Sequence, residues 1–299
     1  MAKQLNYEPN YIAAALRKGK SHLIGIIVPA VDINFFSSVV KGVEAIGNEG
    51  GYSVIISQSD DSFEKEKRNV DALLNTQVDG IICSLAHTTS QYEHLDKILQ
   101  KGTPLVLFDR TAEQKALSTV VIDDYQGAAT ATQHLIEQGC RNIIHLAGPQ
   151  HVLPYQLRAT SFKETLQKNQ LSFHRRQLVT SDLSQAGGRK AMELILANTG
   201  LPDGIFASSD QAAFGAMQVL KEKGHQIPEE VAIVGFSNET FGAFINPTLS
   251  TVEQHGEKMG EIAAKLILDQ CKPTKHKFVH RKIVLPTNLI IRESSRRFG

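Results

Sequence analysis

Two neighbouring carboxylates, Asp123 and Asp124, follow the apolar run Thr119–Ile122 in a chain of 299 residues. At a strand end such a pair can hold a metal ion, although capping the following loop is its commoner use. Eleven histidines are scattered without ligand spacing, and no HExxH occurs. His134 and His145 flank a helix–strand junction and read as structural or solvent-facing. Cys83, Cys140 and Cys271 lie far apart, form no CxxC pair and cannot build a disulfide framework. The dinucleotide turn GxGxxG, the phosphate loop GxxxxGK and the nucleophile elbow GxSxG are all absent. No catalytic constellation remains. The chain is expected to need no cofactor or metal and to bind rather than turn over.

The N-terminal stretch LNYEPNYIAAALRKGK (Leu5–Lys20) has a different chemistry. Pro9 suits the first turn of a helix, Asn10 is a nearby polar cap, and Ala13, Ala14, Ala15 and Leu16 favour the helix that Gly19 ends. Lys3, Arg17, Lys18 and Lys20 against Glu8 leave the first 20 residues at +3, on a chain whose net charge is +1. A short, small-faced helix with one bulky leucine and a basic end is suited to wedging into a DNA minor groove. The plain alternative is a frayed leader.

The elements that must position any site alternate from Leu23 onward. Leu23–Pro29, Tyr52–Ser57, Gly80–Cys83, Pro104–Phe108 and Thr119–Ile122 read as buried strands. Phe35–Gly50, Phe63–Asn75, Gln91–Lys101 and Gly127–Gln138 read as helices between them. Such βαβα order predicts parallel sheets covered on both faces. The second half echoes the first: Asp79-Gly80-Ile81-Ile82 returns as Asp203-Gly204-Ile205-Phe206. Each is followed by an amphipathic helix, Lys-Gly, a proline and an apolar strand. Any α/β protein yields some echoes, but two duplicated lobes are the better reading, with a ligand at the carboxyl ends of their strands.

Apolar residues make up 41% and charged residues 21% of the chain, enough for packed cores. No apolar run approaches the roughly 18 residues of a membrane span. No signal-peptide stretch opens the sequence, so a cytoplasmic location is expected.

Nine phrases in order then carry a family resemblance: the hinge-like LNYEPNYIAAALRKGKSHLIGIIVP, DINFF, VDGII, FDR with GAATATQHLIEQGCRNIIHLAGP, RATSF, IFASSDQAAFGAM, IPEEVAIVGFSN, INPTLSTV and LPTNLIIRES. The chain resembles the lactose-repressor/galactose-repressor (LacI/GalR) family of bacterial transcription regulators over most of its length. The resemblance implies an α/β fold of two doubly wound parallel-sheet lobes, periplasmic-binding-protein-like type I, joined by three crossings. Residues 1–21 would be a hinge-helix remnant with Asn10, Ala13 and Leu16 facing DNA, disordered without operator. Residues 22–141 with 253–274 would form the first lobe, and 142–252 with 275–299 the second. The helix-turn-helix would lie before Leu5. Operator DNA (for the full-length protein), a sugar or sugar-derived effector in the interlobe cleft and a second copy of the chain are the implied partners. No membrane is among them.

Carried over position by position, the resemblance assigns the effector to Phe35, Asp109, Arg158, Thr160, Ser209, Asp210 and Ser237. Phe35 would face a sugar ring, with Phe36 left to the core. Asp109 would accept from hydroxyls, or else cap its turn. Arg158 would grip with its planar fork, and its truncation would leave the fold intact. Phe214 and Phe244 would sit at the dimer interface. Two departures stand out. Ser209 precedes Asp210 where the family often has Asn, and Ser237 stands where it often has Asp. The second-lobe side of the site is therefore less acidic, which leaves room for a bulkier, phosphorylated or acidic sugar near Arg158. The runner-up is a periplasmic-type solute-binding protein, which would need an export signal where this chain has a hinge-like helix.

Overall fold

The structure, a computed structural model, describes residues 20–113, 115–272 and 279–297. The hinge candidates Asn10, Ala13 and Leu16 lie outside these residues, as does nearly all of the segment expected to be disordered.

In chain order the elements run β1 (Leu23–Val28), α1 (Asn34–Glu49), β2 (Ser53–Gln58), α2 (Phe63–Asn75), β3 (Gly80–Cys83), α3 (Glu93–Gln100), β4 (Leu105–Phe108) and β5 (Ser118–Ile122). The second half continues with α4 (Asp124–Glu137), β6 (Ile143–Ala147), α5 (Leu153–Lys168), β7 (Leu178–Thr180), α6 (Gln185–Asn198), β8 (Gly204–Ala207), α7 (Asp210–Glu222) and β9 (Ala232–Phe236). It closes with β10 (Ser250–Glu253), α8 (Gly256–Gln270), β11 (Lys282–Leu285) and β12 (Asn288–Ile290). Helix α4 starts earlier than the apolar pattern suggests, because the Asp123 side chain accepts a bond from the Gln126 amide at 2.9 Å and caps it.

Two six-stranded sheets result, ordered β11-β5-β4-β3-β1-β2 and β12-β10-β9-β8-β6-β7. Shifting the strand numbers by five turns 5-4-3-1-2 into 10-9-8-6-7, so the two halves share one winding. Strands β1, β3, β4, β6, β8 and β9 are buried almost throughout, as parallel strands covered on both faces must be. Strand β12 is the antiparallel exception, running against β10. In each sheet the winding reverses beside the first strand, β1 in one and β6 in the other, and ligands collect at the carboxyl ends near such points.

Among the described residues, one compact unit holds 20–32, 36–113, 115–120, 256–272 and 279–283, and the other holds 33–35, 121–255 and 284–297. The division differs from the expected lobes: the chain leaves the first unit within β5, well before the break expected after residue 141. Helix α4 packs on α5 of the second unit, which draws residues 124–137 there. In the first unit α1 and α8 meet backbone to backbone: a Cβ on Gly42 would run into the Glu257 carbonyl, and one on Gly260 into that of Val39.

Candidate functional site

In the first unit, β3 and β4 end at Cys83 and Phe108, and the residues just beyond them cluster. Asp109 has φ +56°, a left-handed conformation that aspartate tolerates better than most residues. Its amide donates to the Val120 carbonyl at 3.0 Å, and Ser84 Oγ donates to its carboxylate at 3.3 Å. Arg110 is buried. Its Nη1 donates to the Asp61 carboxylate and to the Leu85 carbonyl at 3.3 Å, while its guanidinium lies 5.6 Å from the centre of the Phe36 ring. Phe36 meets Phe108 edge-on at 6.4 Å, so it is core as expected. Phe35, which belongs to the second unit, is buried as well, only 5% exposed.

In the second unit Arg158 rises from α5 over the carboxyl ends of β6, β8 and β9. It is 3% exposed. Its Nε and Nη2 converge on Asp124 Oδ1 at 2.8 and 2.7 Å, and Nη1 donates to the Ser208 carbonyl at 2.9 Å. The guanidinium carbon stands 3.6 Å from the centre of the Phe236 ring, with Tyr155 at 5.5 Å. A planar cation lying on one aromatic face, with its edge bound to a carboxylate and a carbonyl, has one fixed orientation. Burial pushes the Asp124 carboxyl upward, and Arg158 opposes that rise.

Beneath Arg158, His145 is fully buried and stacks on Phe206 at 4.4 Å and 8°. Nδ1 lies 3.0 Å from the Phe206 carbonyl, which can only accept, so Nδ1 carries the proton. Nε2 is then an acceptor for Ser208 Oγ at 3.3 Å. Burial drives this imidazole down to about 3, so it stays neutral. The chain His145–Ser208–Arg158–Asp124 is thus one connected polar network under the site.

The loop after β9 carries Ser237 at φ +128°. The Ser237 hydroxyl accepts from Gln254 Nε2 at 2.9 Å, and its amide bonds the Val252 carbonyl at 2.9 Å. Asn238 donates through Nδ2 to Glu253 at 2.6 Å and accepts from Arg292 Nη2 at 2.8 Å. Asp210 anchors the same loop. Its carboxylate accepts from the Thr251 hydroxyl at 2.6 Å and from the Glu239 amide at 2.7 Å. Burial raises this carboxyl to about 7.

Several expected roles change with this geometry. Asp210 is fully buried with both oxygens engaged, so it holds the loop and does not face an effector. Ser209 accepts from the Gln211 amide at 3.1 Å and caps α7. Thr160 is exposed while Arg158 is buried. Two residues along a helix turn about 200° around its axis, so the two side chains diverge. Phe214 packs on the second unit's core, whereas Phe244 is 80% exposed and Phe241, not foreseen, is 71% exposed. Asp124, Arg110, Phe236 and Gln254 also went unassigned. The adjacent Asp109-Arg110 and Asp123-Asp124 were visible signals for two of them. Among the described residues no group of three or more His, Cys, Asp or Glu side chains is placed to hold a metal. Among them, too, no helix is long and apolar enough to cross a membrane.

Comparison with known proteins gives this arrangement a family. Residues 132–295 match the family described as periplasmic binding protein-like domain. The ribose operon repressor of Halalkalibacterium halodurans is 32% identical over 98% of this chain and 86% of its own length. A transcriptional regulator solved in complex with cellobiose superposes with a TM-score of 0.85 at 27% identity, covering 98% of this chain and 88% of its own. A LacI family transcriptional regulator from Enterococcus faecium with bound ribose superposes at a TM-score of 0.79 and 26% identity, covering 93% of this chain and all of its own. With the two like-wound sheets and the polar network at their strand ends, these matches establish that the chain belongs to the LacI/GalR family of transcription regulators, through its periplasmic-binding-protein-like domain.

Proposed function

We propose that the chain is the effector-binding and self-associating part of a sugar-responsive transcription regulator that acts on operator DNA in the cytoplasm and performs no catalysis of its own. The observation that carries the reading is Arg158, a planar cation oriented by Phe236, Asp124 and the Ser208 carbonyl at the carboxyl ends of β6, β8 and β9. Nη1 and Nη2 each carry one N–H beyond the bonds to Ser208 and Asp124, and that pair can donate to two hydroxyls, or to a carboxylate, on a small ligand. Asp109 supplies a carboxylate acceptor from the first unit. The relatives' ribose and cellobiose support a saccharide as the ligand. Exposed Phe241 and Phe244 form the apolar patch through which a second copy would dock.

The test is a thermal-shift screen over pentoses, hexoses, disaccharides, their phosphates and uronic acids, with nucleobases as the contrast. A saccharide present at about 100 times its Kd should add about 2.7 kcal/mol of stability. The binding variant is Arg158→Lys, which keeps a cation beside Asp124 but loses the fork. Its affinity for the hit should fall about tenfold to a hundredfold. Undiminished binding by this variant would remove Arg158 from the site. A shift by nucleobases alone would overturn the saccharide reading.

A further inference from the structure

The two Asp-Gly pairs that marked the internal repeat lie at the amino ends of β3 and β8, away from the residues described above. Asp79 Oδ1 accepts from the Ser21 amide at 2.8 Å and the Ser21 hydroxyl at 2.9 Å, and Oδ2 accepts from the His22 amide at 3.1 Å. Asp203 does the same work in the second unit: Oδ2 takes the Arg141 amide and Oδ1 the Asn142 amide, both at 2.8 Å. Each aspartate therefore grips the backbone that leads into the first strand of its sheet, β1 or β6. The likeness goes further. The Asp79 carbonyl receives the thiol of Cys271 at 3.2 Å, and the Asp203 carbonyl that of Cys140 at 3.1 Å. Burial lifts both thiols to about 11, so both remain protonated donors. Glycine follows each aspartate because a Cβ there would press on Ile267 and Cys271 in one unit and on Cys140 in the other.

The two clamps differ in what they hold. In the second unit the gripped residues join α4 to β6, two elements already packed in that unit. In the first unit the gripped residues are Ser21 and His22, with Lys20 immediately before them. Lys20 Nζ donates to the Cys271 carbonyl at 3.0 Å, adding a second tie from the same segment to the end of α8. We propose that Asp79 is a positioning residue: it fixes to the base of the first sheet the segment Lys20–His22 through which the preceding chain is joined to this unit. Lys20, Ser21 and His22 are thereby a fixed point on the first unit. Its use in presenting basic residues to DNA rests on the regulator reading; the clamp itself does not.

The matched variants Asp79→Asn and Asp203→Asn each exchange one carboxylate acceptor for an amide donor that faces a backbone N–H. Three readouts apply: amide hydrogen exchange at Ser21, His22, Arg141 and Asn142, tryptic cleavage after Lys20, and retention of mixed-sequence duplex DNA at low salt. Asp79→Asn should speed exchange at Ser21 and His22 by about tenfold or more, hasten cleavage after Lys20, and weaken DNA retention. Asp203→Asn should speed exchange only at Arg141 and Asn142 and leave cleavage and DNA retention at the parental level. Ser21→Ala removes one bond from the other partner and should reproduce the Asp79→Asn effects more weakly, which covers the case of a variant that does not fold. Parental exchange at Ser21 and His22 in Asp79→Asn would overturn the clamp. Equal loss of DNA retention in both aspartate variants would overturn the positioning role. A parent chain that retains no DNA, yet shows the exchange contrast, would overturn the DNA reading alone.

Discussion

Replacing Arg158 with alanine should damage the fold, contrary to the sequence-based expectation that a ligand-facing arginine supports little core. Arg158 is 3% exposed and its partner Asp124 4%. Alanine leaves the Asp124 carboxylate buried without its cation, and breaking a buried pair from one side costs about 3–5 kcal/mol. Removing both charges together, in Asp124→Asn with Arg158→Met, avoids the orphaned charge. That variant should stay within about 2 kcal/mol of the parent, the remaining deficit being the Ser208 carbonyl left without its donor. Urea denaturation of the parent, Arg158→Met, Asp124→Asn and the double variant closes a cycle whose coupling energy should be about 1–3 kcal/mol. pH gives a second handle. Burial already raises the Asp124 carboxyl, and without Arg158 nothing opposes the rise. A carboxyl whose folded pKa exceeds its unfolded value loses stability as pH climbs between the two, so the Arg158→Ala deficit should shrink on acidification. Additive single variants, with Arg158→Ala costing under about 1 kcal/mol, would refute the reasoning.

Three further outcomes are expected. Asp210, raised to about 7 by burial, binds its proton more tightly folded than unfolded, so its contribution falls as pH rises from the ordinary carboxylate range toward 7. Stability curves of the parent and Asp210→Asn should therefore diverge across that window by at most about 1.4 kcal/mol per pH unit, and parallel curves would contradict it. Changing exposed Phe241 and Phe244 to serine should shift sedimentation toward monomer while altering monomer stability by no more than about 0.5 kcal/mol per site; an unchanged sedimentation profile would place the interface elsewhere. Gly260→Ala should force α1 and α8 apart and cost about 1–3 kcal/mol in a thermal melt, whereas a neutral result would mean that the helices can slide.

The strand–helix order was legible in the sequence because parallel strands buried on both faces read as unbroken apolar runs. LIGIIV, GIIC and LVLF stand out for that reason, and the structure places them at β1, β3 and β4. The site was legible in part. Asp109 directly follows β4, and position after a strand follows from the alternation, whereas Arg158 lies inside α5 and only the family resemblance singled it out. What each of them touches did not follow. Asp124 is 34 positions from Arg158 in the chain, and only the packing of α4 on α5 brings the two together. Thr160 is two positions from Arg158 in the chain, but the turn of a helix sends the two side chains apart. An aspartate at the head of a helix, such as Asp210, reads equally well as a ligand contact or an anchor. Burial decides between the two, and it is a property of the folded chain.

Duplication explains why the ends of the two sheets diverged to different degrees. At the amino ends both units keep the same device: an aspartate gripping incoming backbone, a thiol on its carbonyl and a glycine that makes room. The thiols reach it by different routes, Cys140 from just before β6 and Cys271 from the end of α8, so the device is preserved as geometry and not merely as a sequence run. At the carboxyl ends the two units share no such device. The first sets Asp109 and Arg110 against Asp61 and Phe36, while the second sets Arg158 against Asp124 and Phe236. Architecture constrains the amino ends, because a slipped first strand would shift register across the whole sheet. The carboxyl ends carry no such constraint and can change residue by residue with the ligand. Substitutions there outside the buried pairs Arg158–Asp124 and Arg110–Asp61 and the Asp210 anchor should alter ligand choice at small cost in stability, whereas substitutions at Asp79 and Asp203 should cost stability and leave ligand choice alone. A variant set assigning each class the other's effect in paired thermal-melt and saccharide-binding measurements would show that the two ends are not separable.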